Sequence, residues 1–125
     1  MSSIFVEQRK REKDVQLRCG CFTTICPYNC EPDHAESVEI SYEPITEHLI
    51  DDENLKEFLY RLDEKKAEIP MEVVPLKILI DCMVNNKEWL REGKKKTIQV
   101  KATFAKKSGA KMVIKMKFER EWVNS

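Results

Sequence analysis

Four of the five cysteines fall within twelve positions, at Cys19, Cys21, Cys26 and Cys30. A thiolate is both a metal ligand and a nucleophile, so the cluster admits two chemistries. As zinc ligands the spacing C-x-C-x4-C-x3-C is poor. Cys19 and Cys21 alternate with Gly20 on one face of a strand, about 7 Å apart along it, and converge on a metal only if Gly20 kinks the chain. Cys19 and Cys21 are more simply small apolar strand residues, and Cys82 a core residue of a helix. Cys26 differs, because it lies in a turn-rich stretch, precedes Pro27 and has Asp33 seven positions later. A loop thiol held near a carboxyl group can attack an electrophile while the carboxyl handles the proton, the plainer alternative being an inert thiol. Glu72 stands at the start of a helix, as a dipole partner or as an acceptor for a ligand's N–H groups.

These residues must be positioned by a small set of elements. Val15, Leu17, Cys19 and Cys21 alternate with polar residues, as do Val38, Ile40 and Tyr42, which predicts two strands, the second ending at Pro44. Between them the turn formers Pro27, Asn29, Pro32 and Asp33 predict irregular chain. Leu55, Phe58, Leu59 and Leu62 then follow helical spacing behind Asp51, Asp52 and Glu53. A second helix starts between Pro70 and Pro75, with Leu76, Leu79, Ile80 and Met83 on one face. Leu90 extends it and Gly93 ends it. Ile98 to Phe104 and Met112 to Phe118 alternate again around Ser108-Gly109, a hairpin signal. The order ββααββ predicts an α+β fold, an antiparallel sheet covered on its apolar face by two helices. Residues 1–14 form a polar leader, 15–120 a single domain and 121–125 a tail.

A length of 125 residues suits one domain. The 22 basic and 22 acidic side chains cancel in total but not locally. Glu31 to Glu72 holds fourteen acids and four bases, whereas Lys94 to Lys117 holds nine lysines and no acid. A neutral sum therefore does not exclude a polyanionic partner. The lysines, with Lys101, Lys115 and Lys117 on strand faces, are either a solvated sheet surface or a phosphate footprint. No apolar run has the roughly 18 residues of a membrane span. The segment MSSIFVEQRKREK lacks a signal peptide's apolar stretch, so a cytoplasmic protein without a membrane partner is expected.

The stretch Cys26-Pro27-Tyr28-Asn29-Cys30-Glu31-Pro32-Asp33-His34-Ala35, continued by Ile40-Ser41-Tyr42-Glu43-Pro44, resembles the QueF family. These are nitrile reductases acting on 7-cyano-7-deazaguanine, together with their archaeal QueF-like relatives, and the likeness covers about residues 15 to 118. The resemblance implies the tunnelling fold (T-fold), a ββααββ unit that oligomerises into a barrel with sites between subunits. It implies that Cys26 adds to the nitrile as a thioimide, that Asp33 manages the protons, and that Glu72 recognises the guanine-like edge of the base. Two departures separate the branches. Met71 stands where a histidine is expected, and Asp51-Asp52-Glu53-Asn54-Leu55-Lys56 replaces the reductases' nicotinamide-binding motif, with carboxylates that would repel phosphates. The expectation is accordingly a QueF-like amidinotransferase, needing no cofactor. It would use ammonia to convert the nitrile base in tRNA to the amidine of archaeosine. The alternatives are an NADPH-dependent nitrile reductase and a non-catalytic T-fold binding module, with or without zinc. His34 or His48 could stand in for the missing histidine.

Overall fold

A computed structural model describes residues 4–11, 14–43, 49–64, 68–85, 96–105 and 108–120. Its strands are β1 (Phe5–Lys10), β2 (Val15–Gly20), β3 (Phe22–Ile25), β4 (Pro32–Tyr42), β5 (Lys96–Ala105) and β6 (Lys111–Arg120). Its helices are α1 (Asp52–Glu64) and α2 (Val74–Val84), the latter entered through a 3₁₀ turn at Met71–Val73. The fold is α+β. All six strands pair antiparallel in one open sheet of order β1-β2-β4-β5-β6, with β3 lying on β4 beyond the end of β2.

Strand alternation buries one face of this sheet. Val15, Leu17 and Cys19 of β2, Val38, Ile40 and Tyr42 of β4, and Ile98, Val100, Ala102 and Phe104 of β5 all point under the helices. Leu55 and Leu59 of α1 close over β1 and β3, and α2 packs on β5 and β6. Asp51 Oδ1 accepts the backbone N–H groups of Glu53 at 3.1 Å and Asn54 at 3.2 Å, which makes it the cap of α1. Gly109, at φ +85°, turns the β5–β6 hairpin in the left-handed region glycine favours. No helix among the described residues is long and apolar enough to cross a membrane.

The structure departs from the sequence expectation in three places. The supposed leader contains β1, paired along its whole length with β2. Its polar residues hide the strand because Gln8, on the inner face, is held by hydrogen bonds instead of apolar packing. Tyr42 Oη donates to Gln8 Oε1 at 2.6 Å and accepts the Ile50 N–H at 2.8 Å, while Gln8 Nε2 donates to the Ile50 carbonyl at 3.1 Å. Secondly, the stretch expected to be irregular supplies β3 and the first half of β4, so the strand extends back to Pro32. Thirdly, α2 buries Val74, Pro75, Ile78, Leu79 and Cys82, leaving Leu76 and Ile80 exposed. Nearly every α2 position is apolar, so two stripes compete, and the turn ending at Val73 sets Val74 and Pro75 downwards. Leu90 and Gly93 lie outside the described residues, as do Pro44 and His48.

The Tyr42 ring is buried, and burial raises its hydroxyl from 10.0 to about 12. The folded state thus holds its phenol proton more tightly than the unfolded chain does. This contribution is complete below pH 10 and is lost as pH rises through about 12. Urea unfolding of Tyr42→Phe should show a loss of about 1–3 kcal/mol at neutral pH, from the stranded Ile50 N–H and Gln8 amide. The stability of the variant should also fall less steeply than wild type across that alkaline window.

Candidate functional site

The β3–β4 hairpin carries the residues with chemical potential. Its last pair is Ile25 with Pro32, and a loop from Cys26 to Glu31 is closed by its own backbone. The Cys26 N–H donates to the Glu31 carbonyl, and the Cys30 N–H to the Cys26 carbonyl, both at 2.9 Å. Asn29 Oδ1 accepts the Glu31 N–H at 3.0 Å, an Asx turn that lets Cys30 adopt φ +58°. Pro27 fits this loop because its missing donor is not required.

Two contacts cover the free edge of β3 and bring further chain to the site. Asp63 Oδ1, from the last turn of α1, accepts the Thr23 N–H at 2.9 Å. Glu68 forms a parallel bridge with Ile25. From there the chain needs three residues to reach Met71, which it lays against the hairpin. The result is a pocket of about 290 Å³ walled by Cys26, Asn29, Glu31, Pro32 and Asp33, by Met71, and by Ala105 and Ser108 from the β5–β6 end.

Cys26 and Asp33 therefore share one pocket wall. Alternation sends Asp33 to the helix-covered face, in line with buried Ala35, whereas His34 points to the opposite face and meets the Thr23 hydroxyl at 3.2 Å. His34 does not line this pocket, and its exposed place suits a solvated histidine better than a stand-in for the one missing at Met71. Glu72 follows Met71 in the 3₁₀ turn, but its side chain is exposed, and it is Met71 that contributes to the wall. Among the described residues, the titratable groups lining the pocket are Cys26, Glu31 and Asp33.

The described cysteines are not gathered as the zinc alternative would need. Cys19 is fully buried, and burial pushes its thiol far up; Cys82 is also buried and is raised to about 12. Cys21, at φ +63°, begins the turn into β3, while Cys30 is exposed in the loop. Among the described residues no group of three or more His, Cys, Asp or Glu side chains is placed to hold a metal.

One residue beside the site is not signalled by local sequence pattern. Thr24 is paired directly opposite Asp33, is wholly buried, and its hydroxyl has no hydrogen-bond partner. An unpaired buried hydroxyl costs on the order of 1–3 kcal/mol. The available signal was the alternation Phe22, Thr24, Cys26, hidden by the turn formers that follow.

Lys101, Lys115 and Lys117 lie on the helix-free face of the sheet, as their alternation implies. There the register builds a row of Glu7, Arg18, Glu39, Lys101 and Lys115 across five strands. Lys111 instead pairs with Glu36 at 3.2 Å. Lys94, Lys95, Lys106 and Lys107 lie outside the described residues. In comparisons with known proteins, no family model matches the chain and no curated protein sequence matches it.

Proposed function

We propose that this protein is a QueF-like amidinotransferase of the tunnelling fold. On this proposal it converts the nitrile of 7-cyano-7-deazaguanine in tRNA to the amidine of archaeosine. The observation that carries the reading is the convergence of Cys26 and Asp33 on one pocket. The Cys26 thiol gives its proton to the Asp33 carboxylate, and its sulfur bonds to the nitrile carbon. The π pair moves to nitrogen, which takes the proton from Asp33, leaving a thioimide and an ionised Asp33. Ammonia then adds to the thioimide carbon, the C–S bond breaks, and the amidine leaves a free thiol after proton transfer. No electrons are gained or lost, so the sequence of steps requires no nicotinamide.

Glu72 accepts from the base's ring N–H and exocyclic amine. Its exposed position suits a site completed by a neighbouring subunit, and the sheet is open at β1 and β6 for side-by-side closure into a barrel. The helix-free face offers Arg9, Arg11, Arg18 and the strand lysines to tRNA phosphates.

The test is incubation with 7-cyano-7-deazaguanine, read by intact mass and thioimide absorbance. A stoichiometric adduct is expected, as is ammonium-dependent conversion of tRNA carrying the nitrile base. NADPH consumption in place of ammonium dependence would transfer the assignment to the reductase. Binding of the base without any adduct would support the non-catalytic module, for which Met71 in the pocket wall speaks.

A further inference from the structure

The buried hydroxyl of Thr24 has no structural partner, and its position on the sheet says what it is for. In β3, Phe22 and Thr24 are fully buried on the helix-covered face, and the register sets Phe22 opposite Ala35 and Thr24 opposite Asp33. A position that only packed would be satisfied by valine, which has the same shape and leaves no donor stranded. Directly opposed residues in an antiparallel pair have Cβ atoms about 4.5–5.5 Å apart, within reach of a threonine hydroxyl and a carboxylate after a χ1 change. Cys26 stands two residues beyond Thr24, at the mouth of the same hairpin.

We propose that Thr24 is a positioning residue for Asp33, donating its hydroxyl to the carboxylate as that group takes the Cys26 proton. The proposal rests on the assignment of Cys26 as nucleophile and Asp33 as proton carrier. A donor of this kind favours the ionised carboxylate, which is the form that accepts the thiol proton. It also fixes the direction in which the carboxylate faces the thiol.

Among the described residues, Cys26 and Glu31 share the pocket wall with Asp33 as titratable groups, beside Met71, Ala105 and Ser108. Asp63 and Glu68 flank β3 on its far edge, Glu72 is exposed on the 3₁₀ turn, and His34 lies on the opposite face.

The rate at which 2,2′-dithiodipyridine modifies Cys26 is measured against pH, with no substrate present. The full chain carries Cys21→Ser and Cys30→Ser, so that Cys26 is the reactive thiol. The profile should inflect where Asp33 ionises, and Asp33→Asn should abolish that inflection while Glu31→Gln leaves it in place. Thr24→Val should move the inflection upward by about one pH unit, and Thr24→Ser should return it. Should the valine variant fold poorly, Thr24→Ala is read in the same way. A Thr24→Val profile that superimposes on the parent overturns the proposal, as does an inflection that survives Asp33→Asn. Failure of the protein to form an adduct with 7-cyano-7-deazaguanine overturns the functional assignment instead, because the disulfide reagent reports on the Thr24–Asp33 pair without substrate.

Discussion

If the proposed chemistry holds, Cys26→Ala should form no covalent adduct with 7-cyano-7-deazaguanine, and Asp33→Asn should form it about 10²–10⁴-fold more slowly than wild type. The two losses differ because the two groups do different things. In that mechanism alanine removes the atom that would bond to the nitrile carbon, so nothing is left to trap. Asparagine keeps the shape of the carboxyl group but can neither take the thiol proton nor return it to nitrogen. Attack then depends on loss of the thiol proton to solvent and on protonation of the nitrile by water. Cys26 is in the loop, and asparagine keeps the shape of Asp33, which is partly buried at the pocket. Circular dichroism and melting should therefore match wild type. An Asp33→Asn protein that forms the adduct at the wild-type rate would remove Asp33 from the proton path and point to Glu31, the other carboxylate in the wall.

What could be read in advance depended on how each element signals itself. The inner face of β5, Ile98 through Phe104, was plain because it lies under a helix and every inward position is apolar. Leu55 and Leu59 of α1 were plain for the same reason. β1 was hidden because an edge strand is held by backbone pairing, and its inward Gln8 is satisfied by Tyr42, so polarity there mimicked a solvated leader. β3 was hidden because four residues are too short for alternation to stand out from the prolines behind them. The site divided along similar lines. Cys26 and Asp33 could be singled out as residue types at a suggestive spacing, and the hairpin register then brings them to one pocket. Thr24 could not, because only pairing partners reveal that a threonine is buried opposite an acid. The Met71 side chain reaches the pocket through a bridge between Ile25 and Glu68, a contact that no local pattern encodes.

Gly20→Ala should be the most damaging single-methyl substitution in the sheet. At Gly20 a Cβ would stand 2.2 Å from the Glu36 carbonyl oxygen and 3.0 Å from the Phe5 ring. The first neighbour is backbone, so no side-chain rotation relieves the clash. Moreover, that carbonyl belongs to the bulge where the β4–β5 register shifts between Ala35 and Ser37. The same place is the join between β2 and β3: β2 pairs with β4 as far as Cys19 opposite Val38, and β3 resumes with Phe22 opposite Ala35. Cys21 makes the turn at φ +63°, donating its N–H to the Ala35 carbonyl at 2.8 Å. Gly20 is therefore required for close approach, while the left-handed backbone falls on its neighbour. Forcing a methyl into such a site costs about 1–3 kcal/mol, or roughly 5–15 °C of melting temperature in a domain of this size. Cys21→Gly relieves a left-handed conformation instead and should be neutral or stabilising. The damage at Gly20 should also reach the chemistry, because the end of β2 must move away from Glu36 of β4 to admit the methyl, and β3, joined to it through Cys21 alone, carries Cys26. A Gly20→Ala protein that melts with wild type and forms the adduct at full rate would show that the bulge does not set the geometry of the hairpin.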